Sequence, residues 1–440
     1  MQFSNLQMKR HFIAGKYVIG IDPSKEKSDA AVIDAFGLLK GKTFSFQNNH
    51  QGFQKQLWIY LNERVPEISK ENTVFAIEAA CNLWQKLADY LISQGYTVVI
   101  LNPLSTYKAR SLINHSFSKT DAKDALIVAN SAREGYFDFY RIHSDATKAM
   151  HDLAVTYDKL KRSLTQTKLR LRALVELTFP EFPKIVKLST NTALYLLEHY
   201  ITPQEFIDAN IFEAIRGMEK VSRKKKGFKE FKKLREAAKT SIGLSLDQEQ
   251  VNAAHMARDA WIAMIKLLLA KIDAVQTQII IMAKERPYYS ILTSIKGISD
   301  ISAALFIAEL RDLYNFQHYK QIEAFAGIGL RNWDSGQYKG YRHISRIGNK
   351  RLRSIIFRMT TETKNHIPEV RTRFLNRKMI HDRYRKNIIA CSSNLLKLIM
   401  VLVQENRPYE FREEKVKALQ ELELKFEQFK EKKKAYKKAS

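Results

Sequence analysis

Four acidic residues in the first third of this 440-residue chain stand where carboxylates can do chemistry. Asp22 closes the apolar run YVIGID (17–22), and Glu78 nearly closes TVFAIEA (73–79). Asp121 and Asp124 follow a further run, TVVILNP (97–103), in the string KTDAKDA. Short apolar runs bounded by turn residues read as buried strands. Asp22 and Glu78 are therefore expected at strand ends, outside a sheet interior where an unpaired charge is expensive. Residues three apart share one face of a helix, so Asp121 and Asp124 point the same way. Four converging carboxylates repel one another unless cations neutralise them, and hard ions such as Mg²⁺ or Mn²⁺ prefer oxygen ligands. A pair of such ions about 4 Å apart stabilises the attacking and leaving oxygens in phosphodiester cleavage. Taken singly, an Asp after a strand is more often a turn or cap residue, and Asp121 would suit a helix N-terminus. The order strand-Asp, strand-Glu, helix Asp-x-x-Asp is the more specific signal.

A second group lies far downstream. Ser335, in AGIGLRNWDSG, stands in a turn-rich basic stretch where an exposed hydroxyl could approach a phosphate. Out of context, Ser-Gly is ordinarily just a turn; Ser299, Ser345 and the pair Ser116/Ser118 are the competing hydroxyls. Arg342, His343, Arg346, Lys350, Arg351 and Arg353 crowd the segment after Ser335 and are expected to contact a nucleic-acid backbone. Lys296-Gly297-Ile298-Ser299 falls between two helical patterns. As a helix-hairpin-helix turn, Lys296 and Gly297 would offer backbone N–H groups to a phosphate; a plain helix-capping glycine is the other reading.

Composition narrows the partner. The net charge is +27, an excess that attracts polyanions, of which nucleic acid is the commonest for a globular protein. Acidic membrane surfaces compete, but no lipidation motif stands at either end. The apolar stretches 261–283 and 395–403 make no clean membrane span. Two distant cysteines, Cys81 and Cys391, exclude a disulfide scaffold and a thiolate zinc site. A cytoplasmic protein without a membrane partner is expected.

These groups need elements to position them. Residues 1–150 alternate strand and helix signals: YVIGID, DAAVIDA (29–35) and LLKGKTFSF (38–46), with Phe36-Gly37 as a hairpin turn, then a helical stretch around 53–64, TVFAIEA, the amphipathic LWQKLADYLISQG (83–95) and TVVILNP. A meander followed by alternation predicts a mixed α/β sheet. Residues 151–287 are helical and charged, with two long apolar stripes that would pair as a coiled-coil-like arm around a basic insertion (222–239). Residues 288–405 form a mostly helical, serine-bearing domain. Residues 406–440 end in a lysine-rich tail that reads as disordered or partner-dependent. The fold class is thus α/β plus α.

These residues resemble a known family. GIDPSK, IEAACNLWQKLADYLISQGYTVVILNP and HSFSKTDAKDALIVA look like the RuvC-like, ribonuclease-H-like domain of the DEDD transposases, the one-ten family of insertion sequences. ILTSIKGISDISAALFIAEL and EAFAGIGLRNWDSGQYKGYRHISRIGNKRLRSIIF resemble that family's second domain. The resemblance covers roughly 17–150 and 288–405. It implies that Asp22, Glu78, Asp121 and Asp124 are metal ligands and that Ser335 is a nucleophile. It also implies a recombinase acting on donor and target DNA with an element-encoded bridge RNA, as a homo-oligomer (dimer or tetramer). Leu330 departs from the family, where many members carry proline, which bears on loop shape rather than chemistry. The rivals are a Holliday-junction-type nuclease using a metal-bound water, a non-enzymatic nucleic-acid scaffold, and an actin-like ATPase. The first leaves 288–405 without a role, the second leaves the carboxylates unexplained, and the third lacks glycine-rich phosphate loops.

Overall fold

Alternation along the apolar runs decides which face of a sheet each residue serves. In the computed structural model these runs become β1 (Tyr17–Pro23), β2 (Lys27–Ile33), β3 (Phe44–Gln47), β4 (Thr73–Glu78) and β5 (Thr97–Leu101), with a short β6 (Asp138–Phe139) at one edge. They form one mixed sheet of order β3-β2-β1-β4-β5-β6. The meander β1–β3 is antiparallel, β4 and β5 run parallel to β1, and β6 is antiparallel to β5. Among the described residues five α-helices accompany it: α1 (Gln2–Ile13), α2 (Leu57–Arg64), α3 (Leu83–Ser93), α4 (Pro103–Ile113) and α5 (Asp121–Arg133). The structure describes residues 2–80, 82–113, 121–140, 145–223, 227–331, 334–335, 338–339 and 343–439. The chain divides into two compact units, residues 1–142 and 143–440.

In the first unit the two faces have separate cores. Ile19, Ile21, Ala30, Val32, Phe75 and Ile77 pack with Leu57 and Leu61 of α2 and Leu87 and Leu91 of α3. Their neighbours Val18, Ile33, Val74, Ala76, Val99 and Leu101 pack with Val128, Ala129 and Ala132 of α5. Gly20 sets how closely α5 approaches, since a Cβ there would lie 2.3 Å from the Ala125 carbonyl oxygen and 2.4 Å from the Ala129 nitrogen. The expected third strand is shorter than its apolar run. Asp34 accepts hydrogen bonds from the backbone N–H groups of Phe36 and Leu38, both at 2.9 Å, and folds those residues into the turn at Gly37 (φ 86°). Only Leu39 then bridges to Ile33 before pairing resumes at Phe44.

The second unit begins with α6 (Asp145–Thr178) and runs through α7 (Phe182–Ile185), α8 (Asn191–His199), α9 (Pro203–Asp208), α10 (Ile211–Ser222) and α11 (Phe228–Lys239) to α12 (Gln248–Lys284). The long helices α6 and α12 pair antiparallel. Tyr157 bonds Gln276, and the Arg170 guanidinium lies 5.1 Å from the Trp261 ring. Phe179, Phe182, Phe206 and Phe231 make the aromatic core of the small helices between them. Then come α13 (Tyr289–Ser294), α14 (Asp300–Leu310), α15 (Tyr319–Ala326), the short strands β7 (Leu330–Arg331), β8 (Asp334–Ser335), β9 (Tyr338–Lys339) and β10 (His343–Ile344), and α16 (Lys350–Thr363), α17 (Pro368–Ile380), α18 (Tyr384–Gln404) and α19 (Glu413–Ala439).

Among the described residues α18 alone is long and apolar enough to cross a membrane. Here its Leu395, Leu396, Ile399 and Val403 are buried in the helical core. The lysine-rich end differs from its expected disorder. It forms α19, because Leu419, Leu422, Phe426 and Phe429 recur at helical spacing within the charged background and pack on that core. Arg371 of α17 pairs with Glu423 at 3.1 Å, and Lys415 with Glu369 at 3.0 Å.

Gly20→Val tests the helix–sheet contact. Forcing α5 off β1 should destabilise the first unit by about 1–3 kcal/mol or more and cut hydrogen-exchange protection in β1 and β4. Unchanged protection would show that α5 does not depend on a bare backbone at this position.

Candidate active site

The sheet brings two of the four acidic residues together directly. β1 and β4 are parallel neighbours with Ile21 opposite Ile77, so the next residues, Asp22 and Glu78, share one level at the carboxyl ends of adjacent strands, with backbones about 4.8 Å apart. By alternation both point to the face that α5 covers, two residues beyond Val18–Gly20 and Val74–Ala76.

Helix α5 supplies the other two. The guanidinium of Arg133, its last residue, lies over Gly37 in the turn after β2, at the end of the sheet where β1 begins. Ala129 and Ala125 lie over Gly20, so the first turn, with Asp121 and Asp124, lies toward the end where Asp22 and Glu78 stand. The side chain of Asp121 is outside the described residues. Asp124 is 3% exposed, and one of its carboxylate oxygens accepts a 2.7 Å hydrogen bond from the Arg110 guanidinium of α4. The Arg110 Nε is itself buried without a hydrogen-bond partner.

Sequence reasoning missed Arg110, which has no motif, and Asp29, which lies directly across the ladder from Asp22. Asp29 is buried and accepts from the Ser45 hydroxyl, with the Lys27 ammonium 3.6 Å away. Among the described side chains no three acidic, histidine or cysteine groups converge closely enough to hold a metal ion. The side-chain donors gathered toward this end of the sheet are carboxylate oxygens, the type a hard divalent cation takes, and one oxygen of Asp124 is already engaged by Arg110.

Ser335 is in the second unit. It sits on β8, opposite Tyr338 of β9, in a two-rung antiparallel ladder. This ladder is nested between β7 and β10, where Arg331 faces His343 and Leu330 faces Ile344. Backbone pairing therefore sets Ser335 against Tyr338, and its side chain is outside the described residues. The rival serines have local work. Ser299 caps α14 by accepting from the Ser302 N–H, and Ser345 donates to the Ile347 carbonyl at 3.3 Å. Ser116 and Ser118 lie outside the described residues.

The expected nucleic-acid contacts fall into two groups. Lys296, His343, Arg346 and Lys350 are exposed, and Gly297 (φ 103°) makes the turn between α13 and α14, packed on the end of α16 near Thr363. Arg351 and Arg353 are instead engaged within the unit. Arg351 donates from Nε to Glu309 at 2.6 Å, and Asn349 donates to the same carboxylate at 2.6 Å; Glu309 is 2% exposed. Arg353 donates to the Ala326 carbonyl at 2.8 Å. Arg342 is outside the described residues. Beside Glu309, the Nδ1 of His151 meets the Ala308 carbonyl and its Nε2 meets Arg351, which places the ring proton on Nδ1. Burial holds the His151 pKa below its ordinary value.

Comparison with known proteins agrees with this layout. A DEDD transposase model of the IS110 type matches residues 19–180, and a model described as the transposase IS116/IS110/IS902 family matches residues 289–375. Together they span more than half of the chain, which belongs to the IS110 family of transposases. The pilin gene-inverting proteins of Moraxella bovis and Moraxella lacunata are 32% and 31% identical to it over 161 residues, 36% of this chain and 47% of each relative. The match thus spans about half the length of those two relatives. An uncharacterized 43.6 kDa protein of insertion element IS110 from Streptomyces coelicolor is 22% identical over 307 residues, 67% of this chain and 73% of the relative.

Two measurements check the electrostatics. Arg110→Met strands the buried Asp124 carboxylate and should cost the first unit about 3–5 kcal/mol, with part of the loss restored by the further change Asp124→Asn. If the single variant unfolds at the parental urea concentration, the pair has no structural weight. In the second unit His151 is kept neutral. Its contribution to stability is therefore complete above its ordinary pKa of 6.5 and declines as pH falls below it. Replacing His151 with Gln should flatten that acid limb, and a limb of unchanged steepness would assign it to other groups.

Proposed function

We propose that this chain is a DNA recombinase of a mobile element, cutting and rejoining strands through a carboxylate-held metal site and the Ser335 hydroxyl. The observation that carries the reading is the shared level of Asp22 and Glu78 on parallel strands beneath a helix whose first turn holds Asp121 and Asp124. That arrangement, with the strand order of the sheet, supports a ribonuclease-H-like nuclease domain. The family's presence in both units supports a role for the second as well, which a water-using junction nuclease would not need.

Asp22, Glu78, Asp121 and Asp124 would hold Mg²⁺ or Mn²⁺. A bound divalent ion stabilises the negative charge that builds on phosphate oxygens during displacement. The oxygen of Ser335 forms the new bond to phosphorus while a phosphorus–oxygen bond of the strand breaks. The serine proton is lost and the departing sugar oxygen gains one. A phosphoserine diester keeps the energy of the broken bond, so attack by a new strand end restores DNA and the free serine.

Exposed Lys296, His343, Arg346 and Lys350, with the Gly297 turn and Arg342, would hold the backbone without reading bases. Sequence choice would then fall to an element-encoded bridge RNA, in keeping with the described residues, which show no recognition helix or zinc finger of the familiar kinds. Work in the cytoplasm as a homo-oligomer completes the reading, with the metal domain of one subunit serving the serine of another.

Asp121→Asn should bind DNA normally yet cut at least about a hundredfold more slowly in Mg²⁺, and normal cutting would refute the metal set. Ser335→Ala should bind but give no protein–DNA adduct on denaturing gels; an adduct from that variant would move the nucleophile elsewhere. Mixing inactive Asp22→Ala and Ser335→Ala chains should restore some cleavage. No restoration, with mixed oligomers shown on DNA, would place each site within one subunit.

A further inference from the structure

Helix α17, with Asn394 of α18, borders an open cleft of about 320 Å³ that no part of the proposed chemistry uses. Thr372, Arg373, Asn376, Arg377, Ile380 and Asn394 line it. Arg373 and Arg377 are one helical turn apart, so their side chains leave α17 on the same face. Each is tied at Nε to α18: Arg373 to the Ala390 carbonyl at 3.0 Å, and Arg377 to the Asn387 side-chain oxygen at 3.3 Å. Asn387 is held in turn by its bond to the His381 carbonyl at 2.8 Å. These anchors orient both guanidinium planes and leave their terminal N–H groups for another acceptor.

The cleft has little negative charge of its own. Neither arginine has an ion-pair partner among the described residues. Glu369, the carboxylate on the lining, already accepts from the Tyr409 hydroxyl and the Lys415 ammonium, both at 3.0 Å. Burial pushes the thiol of nearby Cys391 up to about 11, so it is neutral. Beyond α17 stand exposed Arg383 and, at the start of α18, exposed Arg385 and Lys386. Residues 371–386 hold seven Lys or Arg against one Asp. Two like charges fixed side by side favour an anion that can bridge them, and the guanidinium fork matches phosphate oxygens in geometry as well as charge.

We propose that this cleft seats a backbone phosphate of DNA, bridged by Arg373 and Arg377 and flanked by Arg383 and by Arg385 and Lys386 at the start of α18. Ile380, 73% exposed on the rim, offers an apolar neighbour to deoxyribose and no partner to a 2′-hydroxyl, which favours DNA over RNA. The site straddles the end of the second matched stretch: Glu369, Thr372 and Arg373 fall within it, and Asn376, Arg377, Ile380 and Asn394 beyond it. It positions DNA and does not read its sequence. The inference rests on DNA being the substrate but not on Ser335 being the nucleophile.

The test uses the full chain in chelator, so that binding is measured without metal-dependent cutting whether or not Ser335 is the nucleophile. Arg373→Gln and Arg377→Gln should each weaken duplex DNA binding about tenfold and reduce the slope of log affinity against log salt by about 0.9. Arg373→Lys, which keeps the charge and loses the fork, should keep the parental salt slope yet bind nearly as weakly as the Gln variant. Asn376→Asp, an exposed change on the rim that adds a negative charge, should weaken binding similarly and guards against a folding defect in the arginine variants. Parental slopes in Gln variants with parental melting curves would overturn the proposal. So would full recovery with Lys, which would reduce the cleft to a diffuse positive field, or an effect on duplex RNA with none on DNA. A parental chain that binds with the expected slopes but never cuts would instead fault the recombinase reading and leave this one standing.

Discussion

Much of the first unit follows from one close approach. Helix α5 lies against β1 at Gly20, near enough that a methyl group there would overlap the Ala125 carbonyl. That contact fixes the level of α5 along the strand and thereby carries Asp121 and Asp124 toward the end of the sheet where Asp22 and Glu78 stand. It also has a cost. Asp124 is drawn to 3% exposure, where a lone carboxylate would be strongly unfavourable, and the Arg110 guanidinium offsets that charge. The glycine, the helix and the arginine form one device: tight packing places the acid, and the ion pair makes its burial tolerable.

The second unit uses a buried carboxylate in a different way. Glu309 of α14 collects Asn349 and Arg351 at the start of α16, and Arg351 reaches His151 on α6. Helices distant in sequence are thus joined beside the segment that carries Ser335. Charge that looks available for DNA is consumed in the process. Among the described residues of the run after the serine, the exposed charge that remains is at His343, Arg346 and Lys350. Net charge gives the sign of the partner, but internal pairing decides where that partner is met.

Much of this was legible in the residues. The apolar runs ending at Asp22 and Glu78 became strands, the turn at Gly37 formed, and the two long helical stripes found each other. Other features carried no pattern. β6 is two residues long, too short for a period to appear. Strand β3 begins late because one side chain, Asp34, captures two backbone N–H groups that a strand would otherwise use. The last helix was hidden by its lysines: four apolar residues at helical spacing are a weak signal in a charged background, and they become a helix where a core exists to receive them.

The sequence by itself determined the periodicities, the sign of the charge and the residue types able to do phosphodiester chemistry, because each depends only on local order along the chain. Its motif blocks also carried the family resemblance. Tertiary structure alone decided that Asp22 and Glu78 share a level, since strand neighbours are chosen by pairing across many intervening residues. It also decided that Arg110 would meet Asp124, that Arg351 would face inward to Glu309, and that Arg373 and Arg377 would line a common cleft. The physical reason is the same in each case. A charged side chain takes its role from what surrounds it, and those surroundings exist only once distant segments have packed.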